Sequence, residues 1–271
     1  MSIELLERGA AALAPFLDEV VFVGGATIVL WITDPAAPAP RPTLDVDVVV
    51  EILSRPALHR FEARLRAKGF AEDSSSAVIC RWRFHDRIDD DLIVDVMPSE
   101  AGLMGFANRW QGAALGHATE RSLPSGAVIR AITPPYLVAT KLEAFRGRGR
   151  GDHLRSQDLE DIVLLADGRA ELVDEVLAAP DEACAFVSSE LAALLAEARF
   201  IDAVHGFVRP DAANQARADA EVLPRLRAIA AASDRHGRSD AAPTARSVFP
   251  MCSQLGELQR ISAHPSDLTV P

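Results

Sequence analysis

The hydrophobic pattern changes period along this chain. In the first half, short apolar runs predict strands. "VVFV" at 20–23 is a buried strand that stops at Gly24-Gly25. "RPTLDVDVVVE" at 41–51 alternates, which puts Asp45 and Asp47 on one face of a strand over 44–51 and Val46, Val48 and Val50 on the other. "VICRWRF" (78–84) and "LIVDVM" (92–97), separated by the turn-like "HDRIDD", predict a hairpin, and "AVIRAI" (127–132) predicts a last strand. Helical spacing marks 3–17, the "ATIVLWIT" that follows the glycine pair, 56–68 and roughly 101–115. The proline-rich "DPAAPAPRP" cannot continue a helix and is a loop.

After Pro134-Pro135 the period is helical almost to 232, in segments 135–147, 157–167, 170–178, 181–205 and 211–231 broken by Gly, Pro and Asp. From 234 onward Ser, Pro, Gly, Arg and His dominate without period. The expected fold class is α+β. A mixed β-sheet core with covering helices spans 1–133, an α-helical bundle spans 134–232, and 233–271 is a disordered tail. No internal repeat is visible.

Composition narrows the class. Apolar residues make up 49% and charged ones 25%, a soluble globular balance. No apolar run approaches the roughly 20 residues needed to span a bilayer, so no membrane partner is expected. Cys80, Cys184 and Cys252 form neither a disulfide framework nor a metal-binding spacing, which predicts a reducing, cytoplasmic location. His85, His117, His153 and His205 lack ligand spacing too. The net charge of −11 argues against a broad, non-specific nucleic-acid surface. Two of the 28 basic residues are lysines, Lys68 and Lys141, so a lysine here is not the default cation.

The candidate chemistry starts from the two aspartates. Like charges on one face of an apolar strand need a positive partner. In "DLIVDVMP", Asp95 interrupts an apolar run in the same manner; if its strand lies beside 44–51, Asp45, Asp47 and Asp95 converge. Three carboxylates stay ionised together around divalent cations, and hard oxygen ligands suit Mg²⁺. Two such ions about 3.5–4 Å apart would activate an attacking hydroxyl and stabilise a leaving pyrophosphate. The missing positive partner is then metal-bound nucleotide. The bland alternative makes Asp45-x-Asp47 part of a solvated edge strand and Asp95 a hairpin cap. Gly24-Gly25, between a strand and a helix, offer backbone amides to an anion, and Thr27 adds a hydroxyl.

"VFVGGATIVLWI", "RPTLDVDVVV" and "IVDVM" together resemble the nucleotidyltransferase superfamily with the polymerase-β-like fold. The Arg41-x-Thr43-x-Asp45-x-Asp47 form, with the later "PPYLVATKLEAFRGRGRGDHLRSQDLEDIVLL", is similar to its AbiEii-type branch, which includes toxins of type IV toxin–antitoxin systems. The resemblance covers about residues 15–170. It implies Mg²⁺-dependent transfer of a nucleoside monophosphate from NTP to an acceptor hydroxyl with release of pyrophosphate. Within the branch tRNA ends serve as acceptors, which the motifs do not carry over to this chain, so tRNA, a small-molecule acceptor and a cognate antitoxin stand as candidate partners. It also implies catalytic roles for Asp45, Asp47, Asp95 and Lys141, the three aspartates holding metal. Gly24, Gly25, Thr27, Thr43, Arg146, Asp158 and Asp161 are expected to bind nucleotide. About twenty residues separate Gly25 from Asp45, and the proline-rich loop accounts for that length.

The plainer reading of the later motif is an acid-rich helix start capped by Ser156, with Arg146, Arg148 and Arg150 on a solvated glycine loop. Two other functions compete. One keeps the chemistry and changes the acceptor to a small molecule, as in enzymes that nucleotidylate aminoglycosides. The other is a non-catalytic module that binds nucleotide or a partner protein.

Overall fold

Strand β2 (Asp45–Val50) lies at the middle of a seven-stranded mixed sheet, and its alternation decides which face receives the aspartates. The computed structural model describes residues 2–87, 90–105, 108–148 and 151–233. The expected tail lies, beyond Ser233, outside the described residues. β1 (Val20–Val23) runs antiparallel to β2, and β5 (Leu92–Pro98) runs parallel to it on the other side. With β3 (Ala71–Glu72), β4 (Arg81–Phe84), β6 (Thr119–Ser122) and β7 (Val128–Ala131), the order across the sheet is β3-β4-β5-β2-β1-β7-β6. β4 pairs antiparallel with β5, as the hairpin signature predicts.

Val46, Val48 and Val50 are buried on one face of β2 with Val20 and Phe22 of β1. They pack with α1 (Ser2–Ala12) and with Leu58, Phe61 and Leu65 of α2 (Arg55–Lys68). α2 starts where Ser54 Oγ accepts from the Ala57 amide and stops at Gly69, whose φ of +105° a residue with a Cβ rarely adopts. The other face carries Val21, Val23 and Val49. These join a second apolar cluster with Leu137 and Leu142 of α4 (Pro134–Arg148) and with Leu159 and Ile162 of α5 (Gln157–Gly168). That cluster runs on into α6 (Leu172–Leu177), α7 (Asp181–Leu195), α8 (Ala198–Phe207) and α10 (Leu223–Ala230). α9 (Ala212–Arg217) and a π-helical turn over Ala218–Val222 lead into α10. The expected α+β class is therefore observed: a mixed sheet between two short helices and a helical layer.

Several expected elements differ. The segment after the glycine pair is a 3₁₀ helix over Gly25–Leu30, not an α-helix. Where one helix was expected over 101–115, a 3₁₀ turn (Ala101–Leu103) precedes α3 (Trp110–Gly116). Gly105, at φ +75°, breaks the run, and Asn108 Oδ1 takes the Trp110 amide at 3.1 Å. The expected helix 181–205 is divided between α7 and α8 without a glycine or proline at the junction. β3 and β6 were not expected; their "AE" and "TERS" sequences carry no apolar alternation because both are sheet-edge strands. No helix among the described residues is long and apolar enough to cross a membrane.

Candidate active site

The β2–β5 register sets the geometry. Asp47 and Asp95 are direct partners across parallel strands, and Asp45, two residues before Asp47, shares their face. The three aspartates expected to converge therefore do so. Gly24 closes the site from β1. Its φ is +73°, and a Cβ there would stand 2.7 Å from the Asp47 Cγ. Only glycine lets the chain turn this close to the carboxylate. Gly25 is as tightly placed: its Cβ would lie 3.1 Å from Thr43 Cγ2, 3.2 Å from Asp161 Oδ2 and 3.3 Å from Arg41 Nη2.

The helical layer supplies the next group. Lys141, buried on α4, has its Nζ 2.6 Å from Asp161 Oδ2 and 3.4 Å from Asp158 Oδ1. Both aspartates are buried in the first turns of α5, one turn apart, so they face the same way. Ser156 caps that helix as expected, its Oγ accepting from the Leu159 amide at 3.3 Å. Burial alone would push the Lys141 pKa down. The charges of Asp161, Asp158 and Asp47 outweigh it, and the pKa ends above the ordinary lysine value. The same influences place Asp47 and Lys141 in one electrostatic neighbourhood.

Arg41 joins the loop to this network. Its Nε and Nη2 donate to Asp161 at 3.2 and 3.3 Å, and Glu160 lies 3.6 Å away. Burial raises the Glu160 pKa, Arg41 lowers it and Asp161 raises it, with a net rise. The start of the proline-rich loop is also pinned. The amides of Thr33 and Asp34 donate to the Gly168 carbonyl at 2.9 and 3.0 Å, and Arg217 binds Asp34 at 2.8 Å. The twenty-residue gap is thus a strap tied at both ends. Thr43 lies within it, and its hydroxyl oxygen is buried without a hydrogen-bond partner.

Two expected residues take other positions. Thr27 is fully buried and its hydroxyl donates to the Gly24 carbonyl at 2.8 Å, so it closes the glycine turn from beneath. Arg146, five residues after Lys141 and hence on another face of α4, pairs with Glu190 of α7 at 3.2 Å instead of joining Asp158 and Asp161. Arg150 lies outside the described residues.

A residue not expected in the site holds its centre. Arg81 on β4 is the antiparallel partner of Asp95, so it projects to the aspartate face. Its Nε and Nη2 each donate to Asp95 at 2.8 Å, and Nη2 also donates to Asp45 at 2.6 Å. The hydrogen bond to Asp95 is the chief cause of its raised pKa; burial opposes this, and the charges of Asp95, Asp45 and Asp47 add to it. The only available signal was the period-two placement of Arg81 and Arg83 around Trp82. Without the hairpin register it could not be aligned with Asp95.

The donor set fits a hard divalent cation: three carboxylates on one face, no histidine or cysteine among them, and a glycine where a side chain would fill the approach. Among the described residues no three His, Cys, Asp or Glu side chains stand ready-arranged as a metal cage. Arg81 already engages two of the three carboxylates.

Residues 4–235 match the family model described as nucleotidyl transferase AbiEii toxin, type IV TA system. The chain belongs to that family: it is a nucleotidyltransferase of the toxin side of a toxin–antitoxin pair. Comparison with curated proteins gives no significant match. Among solved structures, an antigenic nucleotidyltransferase-like protein from Paracoccidioides brasiliensis is 18% identical, with a TM-score of 0.47, over 74% of this chain and 92% of that one. An inferred nucleotidyltransferase from H. pylori is 12% identical, with a TM-score of 0.45, over 87% of this chain and 97% of that one.

Proposed function

We propose that this nucleotidyltransferase uses Mg²⁺ to move a nucleoside monophosphate from NTP to a terminal hydroxyl of tRNA, releasing pyrophosphate and so disabling the tRNA until an antitoxin intervenes. The observation that carries the chemistry is the register of Asp47 with Asp95, with Asp45 on the same face and Gly24 closed against Asp47. The tRNA acceptor is supported by the family's toxin character and by the Arg146-Gly147-Arg148 run that ends the Lys141 helix.

Asp45, Asp47 and Asp95 would hold two magnesium ions. Magnesium, when bound, offsets phosphate charge and lowers the pKa of the attacking hydroxyl. The chain's own residues do the rest. Gly24 and Gly25 present backbone without side chains, so phosphate oxygens can approach closely. Thr43 offers a hydroxyl with no other hydrogen-bond partner. Lys141, held by Asp161 and Asp158, supplies a fixed positive charge for the leaving pyrophosphate. As the acceptor oxygen bonds to the α-phosphorus, the bond from that phosphorus to the α–β bridging oxygen breaks, pyrophosphate leaves and the hydroxyl proton passes to water.

The test is to incubate the protein with Mg²⁺, each labelled NTP in turn, and total cellular RNA or a small-molecule extract. Label in the tRNA fraction is expected. Label only in the small-molecule fraction would replace the acceptor, and no label with any NTP would overturn the proposed transfer.

A further inference from the structure

We infer that Arg81 is a built-in cation that competes with divalent metal for Asp45 and Asp95, and so sets the metal concentration at which the site loads. This rests on the reading of those carboxylates as metal ligands.

The geometry is specific. A single nitrogen, Nη2, bridges the two carboxylates at 2.6 and 2.8 Å, and Nε holds the second oxygen of Asp95 at 2.8 Å. The fork thus saturates Asp95 on both oxygens, a bidentate arrangement that lysine could not reproduce. Most other surface arginine pairs, such as Arg64 with Glu19 or Arg87 with Glu4, bind acids remote from the site. Arg81 is engaged with two of the three residues that the chemistry assigns to metal. It is only partly exposed, so water screens its charge little.

Two consequences follow. With no metal bound, Arg81 neutralises part of a cluster of three like charges and holds Asp45 and Asp95 in place on their strands. When metal arrives, a divalent ion must take oxygens that the guanidinium holds and must tolerate a positive group beside it. The guanidinium does not lose its proton in this range, so only displacement relieves the conflict. Arg81 therefore stabilises the metal-free protein and weakens metal binding. An arginine that merely supported the strand would do the opposite, because its loss would disorder the ligands.

The sign of the change is the test. Titrate nucleotide-free protein with Mn²⁺ by calorimetry, using wild type, Arg81→Gln and Arg81→Lys, with circular dichroism to verify folding. Arg81→Gln is expected to bind Mn²⁺ at least about tenfold more tightly than wild type, equivalent to about 1.4 kcal/mol. Its melting temperature should be lower without metal and should rise more on adding Mn²⁺. Arg81→Lys keeps one charge and loses the fork, so it is expected to fall between the two; it decides the matter if Arg81→Gln does not fold. Unchanged or weaker Mn²⁺ affinity in both variants overturns the competition while leaving the metal site standing. Absence of Mn²⁺ binding in all three proteins overturns the metal site itself, and this inference with it.

Discussion

Gly24 holds a left-handed backbone with the Asp47 carboxylate where its Cβ would be, so Gly24→Ala must both strain the turn and move a site residue. The expected cost is about 1–3 kcal/mol of stability, read by denaturant unfolding, with most transfer activity lost. Lys141 is bound more tightly into the fold than any exposed lysine could be. Lys141→Met leaves Asp161 and Asp158 buried without their ammonium and is expected to cost about 3–5 kcal/mol. The pH dependence has a definite sign. Because the folded pKa of Lys141 is raised, its contribution is complete below the unfolded lysine value near ~10.4 and is lost as pH climbs through the folded value. Wild type should therefore lose stability above about pH 10.4 more steeply than Lys141→Met. At this scale the sequence revealed the acids and the lysine, because aspartates inside apolar runs and a rare lysine stand out. It marked Arg41 as part of the Arg41-x-Thr43-x-Asp45-x-Asp47 form without revealing Asp161 as its partner, and it hid Arg81, since one arginine among many carries no mark until strand register is known.

At the scale of elements, the alternation of β2 was enough to predict the aspartate face, and the hairpin between β4 and β5 followed from turn residues. The α5 start was legible as well: Ser156 precedes an acid-rich first turn, and it does cap the helix. Ser156→Ala is expected to destabilise by about 1 kcal/mol in denaturant unfolding and, by loosening the turn that carries Asp158, to lower activity more than stability alone explains. Less legible were elements decided by tertiary contact. The 3₁₀ helix after Gly25 looks α-helical by its apolar content. Yet the glycine turn that Thr27 braces, and the Asp161 and Thr43 groups close on Gly25, hold its start in a tighter path. Edge strands β3 and β6 take their extended form from their neighbours' hydrogen bonds, which no local pattern announces.

At the scale of the molecule, the helical layer and the sheet share one apolar cluster, from Val21 and Val49 through Leu142 and Leu159 to Leu226. A core shared in this way predicts one cooperative unfolding transition, with circular dichroism and tryptophan fluorescence coinciding; two separated midpoints would contradict it. The shared core also explains how a lysine in the helical half comes to face the aspartate side of the sheet electrostatically. Sequence period alone divides the chain near 133, and the packing of α4 and α5 on the sheet brings Lys141, paired with Asp161 and Asp158, within the influence of the Asp47 charge. The central claim is that Asp45, Asp47 and Asp95 form the centre of nucleotidyl transfer. It is tested most directly by comparing the rate of labelled NMP transfer by wild type and by folded Asp45→Asn protein under identical Mg²⁺ and NTP. A fall of about a hundredfold or more is predicted; transfer by Asp45→Asn at near the wild-type rate would contradict the account.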